Sequence, residues 1–258
     1  MGEALVTGLL NSGFAAADIA VAEISEPRRN ELATLLPNVR ITADLAAAVT
    51  NAKVVVAAVK PKLVAEALIE CGDALGMDTL IISIAAGVRI ATLEAAAPGR
   101  PVVRAMPNTP ALIGQAATAI SAGTNAGDVE MDQAETVLRA LGIVVRVQET
   151  QLDAVTGLSG SGPAYVFLLA EAMIAAGVEA GLSTEVADVL VRQTLLGAST
   201  LLANGQDPAA LRAQVTSPGG VTEAAIGVMN EHGFVAAVMA TIAAAEARSA
   251  AMGSDPTS

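Results

Sequence analysis

The sequence has 258 residues, 53% of them apolar, so it is long and apolar enough to bury a sizeable core in one or two domains. Its formal charge of −12 excludes the basic surface on which binding to nucleic acid or anionic lipid depends. A single cysteine, Cys71, excludes an internal disulfide and a zinc site built from several thiolates, and we predict no metal site.

The first part of the chain alternates short β-branched runs with helical patterns, which is typical of a parallel sheet covered by helices. Residues 54–59 are apolar on both faces of the strand, so we predict this strand to be central and buried. Pro27 and Pro61 suit the first turns of helices. The predicted strands are residues 19–23, 39–42, 53–59, 79–85, 101–106, 118–121 and 143–147.

The chain opens in a helical pattern that starts at Gly2. A Rossmann domain begins instead with a strand and a glycine-rich turn, whose third glycine packs against the first helix. We assign Gly2 to that third glycine, because Glu23 ends the next strand about 20 positions on, where the adenine ribose is read. The expected fold is therefore α/β, with a Rossmann-type parallel sheet over residues 1–149 that lacks its first strand.

After about residue 150 the strand patterns stop, which predicts an all-helical domain over residues 150–258 with a disordered tail from Gly253. The helix from Ala164 is apolar nearly all round, so we expect a subunit interface to bury it in a homodimer or larger homo-oligomer. The apolar run 164–176, interrupted by Glu171, is shorter than the roughly 20 residues of a membrane span. We therefore predict no transmembrane helix, no signal peptide and a cytoplasmic protein.

Two segments end at the edge of the sheet where a dinucleotide would lie. The first is Ala58-Val59-Lys60-Pro61, and the second is Ala85-Ala86-Gly87, where a glycine lets backbone approach a ligand. A further strand runs into a turn that two prolines stiffen, and this turn holds Asn108 as a fixed polar group at the same edge. Each segment alone is equally compatible with an ordinary loop.

A third segment, Leu211 to Glu231, reads LRAQVTSPGGVTEAAIGVMNE and closely resembles the signature of the pyrroline-5-carboxylate reductase family. Residues 159–165, reading SGSGPAY, are similar to the start of that family's dimerisation helix. The resemblance extends over almost the whole chain in the same order. It implies an NAD(P)H-dependent reduction of the cyclic imine 1-pyrroline-5-carboxylate to L-proline.

The same resemblance implies a substrate site at the turn before the next helix. Pro218, Gly219 and Gly220 form a turn into a helix that begins near Val221, and unpaired backbone N–H groups there make an anion site for the substrate carboxylate, flanked by the hydroxyls of Ser217 and Thr222. We expect Thr222 to be the catalytic residue, bonded to the ring nitrogen. Taken without the resemblance, Thr222 is only a hydroxyl at a helix start.

The cofactor implied by the resemblance is NADPH, with NADH as the alternative. Glu23 favours a free ribose hydroxyl, whereas Ser25, Arg28 and Arg29 favour a 2′-phosphate. We assign cofactor contacts to nine residues: Gly2, Ala58, Val59, Lys60, Pro61, Ala85, Ala86, Gly87 and Asn108.

Two other functions stay open at this point. The first is a hydroxyacid dehydrogenase of similar design, which would need a catalytic lysine in the helical domain, yet no lysine follows Lys62. The lone His232 precedes Gly233 near a helix end, where capping is the commoner role. The second is a non-catalytic nucleotide-binding module, which titration with the cofactor would distinguish from an enzyme.

Overall fold

A computed structural model describes residues 1–254. All seven predicted strands are present with small shifts at their ends. The strands are β1 Ala20–Ala22, β2 Arg40–Thr42, β3 Val54–Ala57, β4 Leu80–Ser83, β5 Val102–Met106, β6 Ala116–Ala122 and β7 Gly142–Arg146. The helices are α1 Gly2–Asn11, α2 Glu26–Leu35, α3 Leu45–Val49, α4 Val64–Cys71, α5 Ile90–Ala96, α6 Asp128–Leu138, α7 Leu152–Val155, α8 Gly162–Glu179, α9 Thr184–Ala203, α10 Pro208–Gln214, α11 Val221–Glu231 and α12 Phe234–Ser254.

The chain divides into two compact units. The first, here the sheet unit, comprises Met1–Ser161 and the end of α12 from Ala243 onward. The second, the helical unit, is Gly162–Ile242 and contains only helices and turns among its residues. Gly253 and Ser254 still belong to α12, so the predicted tail starts too early; the rest of that tail, residues 255–258, lies outside the described residues.

The sheet unit contains a five-stranded sheet in the order β3-β4-β5-β6-β7 and a separate parallel pair, β1-β2. In the larger sheet β3, β4 and β5 are parallel, β6 is antiparallel to β5, and β7 is parallel to β6. Parallel neighbours bring their carboxyl ends to one edge, where Ala57 of β3 pairs with Ser83 of β4. That edge is the one that the sequence predicts for the cofactor.

Hydrophobic side chains cover both faces of β4 and β5. Leu80 and Ile82 pack in one cluster with residues of α1 and α6, whereas Ile81 packs in a second cluster with residues of α4 and α5. All four residues of β4 are buried, which explains its continuous apolar sequence. Cys71 belongs to the second cluster, and its burial raises the pKa of the thiol, so the thiol stays protonated at neutral pH.

The prediction that residues 54–59 form a central, buried strand is wrong for the described chain. β3 lies at the end of the five-stranded sheet and is only half-buried over Val54–Val56. No described strand lies between β1 and β3. Helix α1 packs across this interruption, because Leu5 contacts the cluster that includes Val54. The apolar composition of residues 54–59 predicts a strand that is buried on both faces. It does not show whether a neighbouring strand pairs with each side of it.

The helical unit leaves most of its apolar side chains exposed. Helix α8 has no buried residue, and Phe167 and Leu168 on it are 60% and 66% exposed. Three helical segments, Glu149–Glu179, Thr184–Ala203 and Phe234–Gly253, are long and apolar enough to cross a membrane by length and composition alone. The argument that the apolar runs are too short is therefore wrong, because the helices extend well beyond the run interrupted by Glu171.

A buried hydroxyl in the sheet unit has no hydrogen-bond partner among the described residues. Thr118 of β6 is 1% exposed, and its Oγ1 is unpaired. Alternation along the strand puts its side chain on the same face as Ala116 and Ile120, which belong to the first hydrophobic cluster. The hydroxyl therefore loses its hydration on folding and gains no bond in return.

Thr118→Val is expected to raise the free energy of unfolding by about 1 kcal/mol, because a methyl group replaces an unsatisfied hydroxyl of similar size. Urea denaturation followed by circular dichroism measures this change. Thr79→Val is the matched control: Thr79 is also buried, but its Oγ1 donates to the carbonyl of Ala52 at 2.8 Å. The control is expected to be destabilised, and equal effects of the two substitutions would contradict the argument.

Candidate active site

The loops that follow β3 and β4 leave the same edge of the sheet. Seven predicted cofactor residues occur in these two loops, namely Ala58, Val59, Lys60, Pro61, Ala85, Ala86 and Gly87. Lys60 and Pro61 lead into α4 through a turn, and Gly87 has a φ of 80°, a conformation that favours glycine. Such a crevice, beyond the carboxyl ends of parallel strands, is where open α/β sheets bind ligands.

Helix α1 begins beside the first of these loops. A side-chain carbon added at Gly2 would lie 3.3 Å from Cβ of Ala58, so the glycine allows the start of the helix to approach β3 closely. The residue before the helix, Met1, makes no side-chain bond to the first-turn N–H groups. The structure therefore brings two predicted cofactor residues together at a helix start, which attracts anions.

The end of β1 carries the groups expected to read the adenine ribose. A Glu23 carboxylate oxygen accepts the N–H of Ser25 at 2.8 Å. Arg29 donates to the carbonyl oxygens of Glu23 and Ile24 at 2.9 and 2.7 Å, so its guanidinium braces the turn. Arg28 bonds to two carboxylates, and hydrogen bonds to Glu31 and then Glu3 raise the pKa of the Arg28 guanidinium.

The side chain of Asn108 is engaged at both ends within the sheet unit. Its amide nitrogen donates to the carbonyl of Ser159 at 3.0 Å, and its amide oxygen accepts the N–H of Ala117 at 3.0 Å. Asn108 therefore ties the start of β6 to a π-helical turn over Thr156–Gly160. Sequence reasoning identified Asn108 as a fixed polar group but did not predict that Ser159 would hold it.

In the helical unit, the predicted substrate residues form an exposed turn before α11. Gly219 has a φ of 71°, which favours glycine, and the N–H of Gly220 donates to the carbonyl of Ser217 at 3.0 Å. A side-chain carbon at Gly220 would lie 2.5 Å from Oγ of Ser217, so the hydroxyl packs directly over the glycine. Thr222 occupies the first turn of α11 and is half-buried.

Glu223 is a member of this turn that sequence reasoning missed. Its carboxylate accepts the N–H of Gly219 at 2.7 Å. The available signal was an acidic residue in the first turn of a helix, where carboxylates commonly reach back to a free backbone N–H. A carboxylate therefore occupies the place at which we predict the substrate carboxylate to bind.

Among the described residues, no group of three or more His, Cys, Asp or Glu side chains is arranged to hold a metal.

Comparison with known proteins finds two family models that match different parts of the chain. A family model described as pyrroline-5-carboxylate reductase dimerisation matches residues 149–252. A second model, described as NADP oxidoreductase, coenzyme F420-dependent, matches residues 1–87. Curated relatives from Mycobacterium tuberculosis (strain H37Rv) and Pseudomonas aeruginosa, both named pyrroline-5-carboxylate reductase, are 41% and 43% identical to this chain. Their alignments cover 96% and 97% of this chain and 92% of each relative.

Solved structures confirm the predicted fold class. A pyrroline-5-carboxylate reductase from Coxiella burnetii has a TM-score of 0.93 at 35% identity, and a pyrroline carboxylate reductase from Plasmodium falciparum, solved with NADP bound, has 0.85 at 29%. Each comparison covers 98% of this chain and 95% of the other. A 3-hydroxyisobutyrate dehydrogenase from Mycobacterium tuberculosis shares only the fold, at a TM-score of 0.51 and 17% identity over 71% of this chain and 63% of the other.

The dehydrogenase alternative considered from the sequence thus has support only at the level of fold. The suspected resemblance is confirmed by relatives about 40% identical over nearly the whole chain. This chain belongs to the pyrroline-5-carboxylate reductase family.

Proposed function

We propose that this chain is an oxidoreductase that reduces the C=N bond of 1-pyrroline-5-carboxylate to give L-proline, the last step of proline synthesis. The observation that carries the proposal is the identity of 41% and 43% to relatives named for this activity, over 96% and 97% of the chain. The turn from Ser217 to Gly220, which carried the resemblance in the sequence, is exposed and precedes a helix start, as an anion site requires.

NADPH is the proposed cofactor, with NADH as the alternative. The Plasmodium falciparum relative has NADP bound, and a model of NADP oxidoreductases matches residues 1–87. The side chains around β1 fit either cofactor, because the Glu23 carboxylate suits a ribose hydroxyl, whereas Arg28 and Ser25 suit a 2′-phosphate. When bound, NADPH supplies the hydride for the reduction.

The residues of the chain would then act mainly by positioning. The loops Ala58–Pro61 and Ala85–Gly87 would hold the nicotinamide half of the cofactor, and Gly2 the pyrophosphate. Ser217 and the backbone N–H groups at the start of α11 would hold the substrate carboxylate, and the N–H of Gly219 would join them in place of its bond to Glu223. Pro218 and Gly220 shape the turn, because proline has no N–H and the N–H of Gly220 donates to Ser217. Thr222 would bond the ring nitrogen, whose proton a protonated imine already carries. Positioning of two reactants contributes several kcal/mol to catalysis.

A homo-oligomer, at least a dimer, is proposed for the assembly. Helix α8 has no buried residue in the single chain, and a family model for dimerisation matches the segment that contains it. A second copy would cover its apolar side chains, and this explains helices of membrane-spanning length without a membrane. A cytoplasmic location is part of the same proposal.

The decisive experiment measures loss of NADPH or NADH absorbance with 1-pyrroline-5-carboxylate as substrate. We expect turnover with NADPH to exceed that with NADH, and light scattering of the same sample to give at least the mass of a dimer. Cofactor binding without turnover would favour the non-catalytic nucleotide-binding module. Turnover of a hydroxyacid but not of the imine would favour the dehydrogenase alternative.

Thr222→Ala is expected to lower kcat by about 10- to 100-fold, because the ring nitrogen loses its hydrogen-bond partner as hydride is transferred. The dissociation constant for NADPH should stay unchanged. Thr222→Ser, which keeps the hydroxyl, is the control and should retain most of the activity. Equal losses in both variants, or a loss that follows a lower melting temperature, would assign Thr222 to the helix start alone.

Glu223→Gln is expected to lower the KM for 1-pyrroline-5-carboxylate by about two- to fivefold at low ionic strength, because it removes a negative charge beside the anionic substrate. The glutamine oxygen can still accept the N–H of Gly219. Glu231→Gln removes the same charge at the far end of α11, about 12 Å along the helix, and should leave KM unchanged. The same KM in both variants would place the substrate carboxylate elsewhere.

A further inference from the structure

The loop after β4 carries no polar side chain of its own that fixes it in place. Between Ser83 and Arg89 it contains only Ile84, Ala85, Ala86, Gly87 and Val88. Ser83 accepts the N–H of Ala85 at the long distance of 3.4 Å. A loop of apolar residues that holds the nicotinamide ring therefore needs support from other elements of the sheet unit.

The end of α12 supplies that support. A side-chain carbon added at Gly87 would lie 3.5 Å from Cβ of Met252 and 3.9 Å from the backbone nitrogen of Gly253. A side-chain carbon at Gly253 would lie 2.5 Å from Nε of Arg89. The last turn of the helix thus packs on the loop at Gly87 in ordinary van der Waals contact, and at Gly253 it packs so closely on Arg89 that a larger residue would displace the guanidinium.

One buried carboxylate holds the two elements together. Asp153 of α7, which is 7% exposed, accepts the hydroxyl of Ser249 at 2.7 Å with one oxygen and Arg89 at 2.8 Å with the other. Ser249 of α12 is 4% exposed. A buried carboxylate with both oxygens engaged holds its partners firmly, because losing either bond leaves charge poorly solvated.

A second carboxylate fixes the start of α5, directly after Arg89. Glu149 accepts the backbone N–H of Ile90 at 2.8 Å and the guanidinium of Arg104 at 3.1 Å. Arg104 is 2% exposed and also lies 3.9 Å from Asp153. The start of α5 is therefore anchored to β5 and α7, and the loop before it is clamped between β4 and this anchor.

From these contacts we infer that the last turns of α12 position the cofactor loop, with Ser249, Asp153 and Arg89 as positioning residues for the reduction. The inference rests on the proposed function, in which Ala85–Gly87 contact the nicotinamide. None of the three residues needs to touch the cofactor. Their role is to keep the loop at a fixed distance from β3, since a loop that is already ordered binds the cofactor without a further entropic cost.

The test is Ser249→Ala in the full chain, which removes the bond to Asp153 but adds no bulk. Hydrogen–deuterium exchange at the amides of residues 85–88 is expected to be about tenfold faster, because one buried hydrogen bond to a charged group no longer resists opening. Activity assays are expected to show a KM for NADPH raised about three- to tenfold and an unchanged KM for 1-pyrroline-5-carboxylate.

Thr241→Ala is the matched control, since Thr241 lies on the same helix and its hydroxyl bonds only to the carbonyl of Ala237 at 2.8 Å. It should change neither the exchange of residues 85–88 nor the KM for NADPH. Arg89→Gln removes the ion pair between Arg89, at the end of the loop, and Asp153. It serves as a second variant if Ser249→Ala does not fold. It should speed the same amides.

Unchanged exchange at residues 85–88 in the folded variant would overturn the inference whether or not the protein is active. Faster exchange with a KM for NADPH equal to that of the Thr241→Ala control would also overturn it, because the loop would then be loosened without effect on the cofactor. An unmodified chain that reduces no imine would count against the proposed function. The exchange measurement would then decide alone whether α12 holds the loop.

Discussion

Parallel pairing of β3, β4 and β5 is the constraint on which the arrangement of the sheet unit depends. Parallel neighbours satisfy each other's backbone hydrogen bonds while running in the same direction, so their carboxyl ends meet at one edge. The loops after β3 and β4 then lie together, and the start of α1 approaches them because Gly2 has no side chain. The cofactor site that we propose thus depends on backbone geometry, with few side chains committed to it.

The helical unit has two separate features. The turn Ser217–Gly220 presents backbone N–H groups at a helix start, and the helices expose apolar side chains. The Glu223 carboxylate on the N–H of Gly219 indicates that this turn accepts a carboxylate without a basic side chain. Such a site suits an acidic protein with a formal charge of −12, in which few cations are available to bind an anion. The exposed apolar face of α8 is the area that we propose a second copy to cover.

A network of buried and half-buried polar groups in the sheet unit shows how distant segments support one loop. Asp153 and Glu149 lie just after β7, Arg104 on β5, and Ser249 near the end of the described chain. Each charge is costly to bury alone, and each is paired. Because the partners come from segments up to 96 residues apart, the network forms only when β5, α7 and the end of α12 are all in place.

The sequence by itself determined the seven strands, the change to an all-helical second part and the family. These depend on local signals: alternation, turn residues and the motif from Leu211 to Glu231. Only the tertiary structure decided that β4 and β5 rather than β3 are buried, that Asn108 bonds to Ser159, and that the Glu223 carboxylate accepts the N–H of Gly219. These facts depend on which segments meet in space, and pairing across long separations leaves no periodic trace in the sequence.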